Sequence, residues 1–387
     1  MIEQFFKAAF GHGYQKPNNV LARRMLVENP ALGSHSVATA AAVGDLESLK
    51  LLAGQALEQP TGPLNAPPLV YAASSSVCNE GQLECALWLL AQGANPNATW
   101  QSLQFPGSPL SCLYGAVGLA NNPAMAALLL DAGANPNDGE SLYHSAEFRD
   151  HACLKLLIAH GAKFVGTNAL LRMLDFEDIE GLRLCLAAGA EPDENNGNTI
   201  HHALIRGRGI DAIRLLLDHG ASAQGAYKHA LLLGETTIAE LFPPQPLNGI
   251  ELFLAACACA DSAAAQQQKV ILDTLTTFHL KLLPTQAERG RIHSVRLMLQ
   301  LGWPVAVRGS WGGSALNHAC YRGDAAMVQL LLQFGARWDE PNDFGGNALG
   351  AAQYASVNDP QPGAAYQAVF ELLKANADSL LPPERAG

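Results

Sequence analysis

Apolar residues recur along this chain in short helical stripes that end in nearly the same words. LLAQGANPN closes at Asn97, LLLDAGANPND at Asp138, LLIAHGAKF at Phe164, LCLAAGAEPD at Asp193, LLLDHGASAQ at Gln224 and LLLQFGARWDE at Glu340. The spacing of the stripes predicts helices over 125–132, 152–159, 180–188, 211–218, 293–300 and 325–333. Each runs into a Gly-Ala pair, where glycine accepts the left-handed conformation that ends a helix. A shorter apolar stretch precedes each stripe: SLYHSA (141–146), NTIHHA (198–203) and SALNHA (314–319). Its small residues, among them Ala315, Ala319 and Cys320, let neighbouring helices approach closely. Glycines at 44, 207, 234, 290 and 323 mark the turn between the two helices. Connectors such as ARWDEPNDFGG are turn-rich and predict hairpin fingers. No such pair can bury its own stripe, so each leans on its neighbours.

The Gly-Ala pairs begin at Gly93, Gly133, Gly161, Gly189, Gly220 and Gly335, and LMLQLGWPV adds a degenerate copy at Gly302. A period near 33 with segments that loosely follow T-P-L-H-x-A belongs to the ankyrin repeat. The chain resembles the ankyrin-repeat family over nearly its whole length. The resemblance implies an all-α solenoid of about eleven helix-pair units. They start near His35, Pro67, Ser111, Ser141, Asn168, Asn198, Gly225, Glu251, Lys281, Ser314 and Asn347. NVLARRMLVENPAL (19–32) reads as a solitary capping helix, with Arg23, Arg24 and Glu28 on a polar outer face. The expected organisation is an N-terminal capping segment (1–34), one sub-array (35–244) and a second (245–387). The second is continuous with the first past a possible kink at the prolines near 243–246.

Composition narrows the function more than the fold. Apolar residues make up 49% of the 387 and charged ones 15%, so a core can form and disorder is not indicated. A net charge of −11 with no basic block argues against nucleic acid. No run of 18 apolar residues predicts a membrane span, and the opening MIEQFFKAAF lacks the basic flank of an export signal. A cytoplasmic monomer of bacterial type is the expectation. Cys85, Cys153 and Cys185 stand where other copies carry core aliphatics, so they read as small buried hydrophobes rather than disulfide partners.

No nucleotide, zinc-protease or nucleophile-elbow motif occurs, and neither cofactor nor metal is expected. Cys257 and Cys259, like His318 and Cys320, lie two apart on a helix and face different ways. The resemblance gives His144 and His201 the structural task of bonding a neighbouring finger. Asp175 to Gly181, an acidic run, falls at a turn where acids favour a helix start.

What remains is surface. The resemblance implies a concave face built from finger tips and exposed inner-helix positions, where partners bind. Those positions hold Phe148 and Arg149, Asp175 and Phe176, Ile205 and Arg206, Glu288 and Arg289, Tyr321 and Arg322, and Tyr354. The matching finger position holds Phe278, Trp311 and Phe344 in successive units. Aromatic residues and arginine are enriched at interface hot spots, which makes Trp311, Tyr321, Arg322, Phe344, Arg289, Tyr354, Phe148, Arg149 and Arg206 the candidate partner-binding residues. The alternatives are that the arginines are solvated and the finger aromatics pack on one another. Trp100 and Phe105 form a weaker third candidate. The expected function is a non-catalytic scaffold for an unknown protein partner. An immunity or antitoxin-type inhibitor and a secreted effector are alternatives within the binding class, and an enzyme with a site in the degenerate middle repeats is a further one. All eight thiols should react with an alkylating agent under denaturing conditions without prior reduction. Mass spectrometry showing fewer than eight modified cysteines would contradict the core assignment.

Overall fold

The computed structural model describes residues 1–11, 16–54, 57–102, 107–193, 198–268 and 270–380. The described chain is mostly helical, with helices in the order that the stripes predict. The longer stretches form at Pro123–Asp131, Ala152–Ala159, Ile179–Ala187, Ile210–Asp218, Ile292–Gln300 and Ala325–Gln333. Each lies within about two residues of its expected bounds, the ordinary scatter of helix ends. The chain forms two compact units. One comprises Met1–His202 with Leu215–Ser222, the other Ala203–Arg214 with Ala223–Gly387.

The recurring Gly-Ala is a helix terminator with a defined hydrogen-bond pattern. Gly335 takes φ +83°, its N–H donates to the carbonyl of Leu332, and the N–H of Ala336 donates back to Leu331, both at 3.0 Å. This is the Schellman closure, which satisfies carbonyls that a helix end otherwise orphans. The same backward bond joins Ala94 to Leu89, Ala134 to Leu129, Ala162 to Leu157, Ala190 to Cys185 and Ala221 to Leu216 at 2.9–3.0 Å. In five of these six pairs the alanine is buried, so the bond also folds the connector back onto the core.

The starts of six helices are also built to a rule. A residue with positive φ is followed by an Asn or Asp whose side chain accepts an N–H of the new helix. The pairs are Gly44–Asp45, Cys78–Asn79, Asn121–Asn122, Glu177–Asp178, Ala260–Asp261 and Gly323–Asp324. Gly323 is required twice over. Its φ is +67°, and a Cβ there would lie 2.6 Å from the methyl of Ala364.

Successive connectors of the first unit are stitched side chain to backbone. Glu58 accepts from the N–H of Asn95, Asn97 from that of Asn135, Asn137 from that of Lys163, and Asp193 from that of Ser222. One connector pairs as true strands, Thr99–Gln101 antiparallel to Pro109–Ser111. The opening segment corrects the expectation of a solitary helix. Asn19–Glu28 is helical, but Ile2–Phe10 forms a second helix before it. Its Phe6 and Phe10 set their rings edge-on to Tyr71 at 5.7 Å, and Phe5 is fully buried. Three phenylalanines on one face of nine residues outweigh the cost of ordering a short helix.

Cys85, Cys153 and Cys185 are buried at the core positions assigned to them. No helix among the described residues is long and apolar enough to cross a membrane. Leu216 has no exposed surface and also supplies the carbonyl for Ala221. Leu216→Ala should cost about 2–5 kcal/mol, since the stacked neighbours can close the cavity only partly. Urea and thermal melts check this, and an unchanged midpoint would place Leu216 outside the core.

Candidate functional site

In the second unit, three of the candidate aromatics stand in a row. Trp311 sits in the one-turn helix Ser310–Gly312 with φ +45°, a conformation a bulky residue adopts only when its surroundings impose it. Gly313 leaves room for it: a Cβ there would lie 2.9 Å from the indole, whereas one on Gly312 would strike the carboxylate of Asp343. The indole lies over His318 with ring centroids 4.6 Å apart, and 6.2 Å from Tyr321. Tyr321, in the last turn of Ala315–Arg322, stacks at 6.4 Å and 28° on Tyr354 of the helix Ala348–Asn358. The hydroxyl of Tyr321 donates to Asp359 at 2.7 Å, and that of Tyr366 donates to the backbone carbonyl of Tyr321. Burial, with the Asp359 carboxylate behind it, pushes the Tyr321 phenol well above its ordinary range. Burial likewise lowers the His318 pKa, so this ring is neutral near pH 7. Tyr354 is 59% exposed and Phe344, on its connector, 85%.

The arginines divide differently. Arg322 donates to the carbonyl of Glu288 in the preceding pair. Arg149 donates to the carbonyls of Phe176 and Glu177 in the following one. Helix ends leave such carbonyls without partners, and a neighbour's guanidinium satisfies them. Arg289 goes furthest. Its side chain is 10% exposed, donates to the carbonyls of Leu204 and Ile205, and pairs with Glu235, which Arg291 also grips. Arg289 is therefore occupied in stacking, which its sequence position did not reveal. Arg206 is exposed.

The first unit contains a groove of about 1770 Å³ between the helix Ile2–Phe10 and the ends of the inner helices. Phe6, Phe10, Tyr114, Tyr143 and the half-buried Phe148 line it. At its floor Glu147, whose side chain is 7% exposed, accepts from Arg172 at 2.6 Å, Lys16 at 2.9 Å and His144 at 3.1 Å. Arg172 also lies 5.1 Å from the Tyr143 ring centroid and 4.7 Å from that of Phe176. Burial alone would raise the Glu147 pKa, but these three donors outweigh it and hold the carboxyl far below its ordinary value. Nothing in the repeat pattern marks this cluster. Lys16 lies outside the repeats, and Glu147 and Arg172 occupy different positions in their own copies.

Two expectations are corrected. His144 bonds Glu140 and Glu147 on its own helix end rather than a neighbouring finger, because those carboxylates are one turn away. Trp100 is 6% exposed, its ring 5.9 Å from Tyr114, so it packs the base of the hairpin instead of forming a free surface. Phe105 lies outside the described residues. The acidic run behaves as expected, with Asp178 capping Ile179–Ala187 and also bonding His151 at 2.6 Å. Cys257 is buried and Cys259 exposed, on different faces.

Two family models match the chain, ankyrin repeats in many copies over residues 283–332 and the single ankyrin repeat over 66–100. The chain is also similar to the human "Ankyrin repeat and SOCS box protein 16", 26% identical over 210 residues. That alignment covers 46% of this chain and 45% of the relative, so the chain spans under half the length of that protein.

The Glu147 cluster makes a pH-dependent prediction. Its carboxyl has a lower pKa folded than unfolded, so in acid the unfolded chain binds the extra proton. The stabilisation is complete above the ordinary value of 4.5 and drains away as pH falls below it. Glu147→Gln should lose about 1–3 kcal/mol at neutral pH, because Arg172 keeps its charge in a half-buried site. The variant should also lose less further stability than the wild type between neutral pH and pH about 3. Denaturation midpoints across pH check both, and parallel curves would overturn the assignment.

Proposed function

Since the chain is an ankyrin-repeat protein, we propose that it is a non-catalytic scaffold that holds a protein partner against the finger tips and inner-helix ends. About eleven helix pairs behind an N-terminal cap would supply that face, and the protein would act as a monomer in a reducing cytoplasm.

The observation that carries this reading is the row Trp311–Tyr321–Tyr354. The turn Ser310–Gly312 and the helices Ala315–Arg322 and Ala348–Asn358 set these rings 6.2 and 6.4 Å apart in the second unit. Exposed aromatics are costly to leave in water, and rings of this kind are the residues that anchor interfaces. Phe344 adds an exposed apolar side chain on the connector before Tyr354. The arginines serve mainly to lock neighbouring pairs together, so the binding energy is assigned to the aromatics.

Tyr354→Ala and Phe344→Ala should change stability by no more than about 0.5 kcal/mol, since both side chains are exposed. Each should weaken the native partner by about 2 kcal/mol, roughly thirtyfold, if it is a hot spot. Trp311→Ala should affect both properties, because its ring also covers His318. Calorimetry on partner and variants measures this. Full affinity in both exposed variants would remove the face from consideration.

A further inference from the structure

Two histidines are buried among the described residues, and only one of them has a carboxylate. His151 bonds Asp178 at 2.6 Å. His318 is 2% exposed, and its Nε2 has no hydrogen-bond partner among the described residues. A short loop closes over this second ring. The N–H of Gly309 donates to the carbonyl of Gly313 at 2.8 Å, which pinches the neck of the loop, and Trp311 rides at its tip. The indole covers the imidazole with centroids 4.6 Å apart, and a Cβ on Gly309 would lie 3.4 Å from Nε2. One nitrogen is thus shut in by backbone, and the ring is roofed by an indole. The loop is also able to open. Glycines stand at 309, 312 and 313, and Trp311 itself holds φ +45°, a strained conformation that opening relieves.

The charges nearby do not supply the missing acceptor. Glu288, at the end of the preceding helix Leu282–Glu288, favours the imidazolium, but burial outweighs it and lowers the His318 pKa. Arg308 and Asp343, on either side of the loop, lie 4.0 Å from each other. Arg322 donates to the Glu288 carbonyl, and Asp324 is occupied in capping Ala325–Gln333. On the far side of the row Tyr354 stacks on Tyr321, whose hydroxyl takes up Asp359.

An imidazolium donates from both nitrogens and needs an acceptor or water at each. The closed loop admits neither at Nε2. An indole face attracts a cation, but by less than it costs to bury a charge with no acceptor. The covered ring therefore takes a proton only below the ordinary value of 6.5, whereas a ring opened to water titrates near it. The sign follows. The closed loop is fully favoured above pH 6.5 and loses ground to the open one as pH falls through that value and below.

Resting on the docking face proposed above, we infer that His318 is a proton switch beneath it: when the imidazole is protonated the loop 309–313 opens, Trp311 leaves the row and a partner held there is released. The other two rings sit on helices that carry no part of the loop, so the switch acts on the first ring alone.

The test uses the full chain carrying fluorotryptophan, whose five tryptophans report by fluorine NMR, with Trp311 assigned through Trp311→Phe. Between neutral pH and about pH 5 the Trp311 resonance should shift with a midpoint below 6.5 while the other four hold still. A soluble gadolinium chelate should broaden it several-fold more at the acid end, because the indole has become exposed. His318→Gln, with its melting temperature confirmed, should abolish the transition. Glu288→Gln should keep it but move the midpoint to lower pH, since the charge that favours the imidazolium is gone. The Glu288 side chain accepts only the hydroxyl of Ser310, so this variant keeps the test decisive even where His318→Gln does not fold. A Trp311 resonance that ignores acid overturns the inference, as does an unchanged transition in His318→Gln or an unmoved midpoint in Glu288→Gln. Five resonances moving together would be acid unfolding and would overturn it too. The docking face fails separately. If Trp311 is released by acid but Tyr354→Ala and Phe344→Ala leave a native partner's affinity intact, the switch stands and the face falls. If those variants weaken the partner while Trp311 ignores acid, the face stands and the switch falls.

Discussion

The backward hydrogen bond from the alanine of each Gly-Ala pair is the constraint on which the other features depend. It closes the helix and turns the chain sharply, and in five of the six pairs it comes with a buried alanine. Without it the connector would leave in a variable direction, and the side chains that bond the next connector could not reach. Asn97, for example, accepts the N–H of Asn135 and donates to the carbonyl of Gly133, so it bonds within reach of the next pair's own closure. Local backbone geometry and contact between neighbours are therefore fixed by the same few atoms.

Two kinds of polar group then decide which surface stays open. Capping Asn and Asp residues satisfy the starts of the longer helices, and arginines from neighbouring pairs satisfy the ends of the shorter ones. Arg149, Arg289 and Arg322 occupy comparable places in their own pairs and share this task, although only Arg289 is sealed in by a carboxylate. Among the apolar side chains left exposed on the second unit are the aromatic rings of Phe344 and Tyr354. Trp311 shows the cost of that arrangement: its left-handed backbone is tolerated because Gly313 makes room for the indole and the ring of His318 packs beside it.

Much of this was legible in the sequence because the repeat supplies its own alignment. Six helices could be placed to within about two residues, since a glycine and an apolar stripe mark each one. The same alignment puts Trp311, Tyr321 and Tyr354 on one face. Features outside the period were not legible. Ile2–Phe10 has no counterpart in the repeats, and its three phenylalanines declare a helix only once Tyr71 is beside them. Glu147, Arg172 and Lys16 meet through space from unrelated positions. Trp100 looked like an exposed finger residue, but the pairing of Thr99–Gln101 with Pro109–Ser111 turns its ring inward. Periodicity reports what every copy shares, and it is silent about what one copy does alone.

The bonds from Glu58 to Asn95, Asn97 to Asn135, Asn137 to Lys163 and Asp193 to Ser222 each link a connector to the next one along. None of them reaches beyond its immediate neighbour. Stability in such a stretch is a sum of local terms and adjacent couplings, as in a row of magnets that sense only the two beside them. Damage to one link lowers the cooperativity between the two sides without erasing either. Folding in this stretch can start at whichever pair orders first and spread outward in both directions. A degenerate copy then acts as a weak point where the advancing boundary pauses.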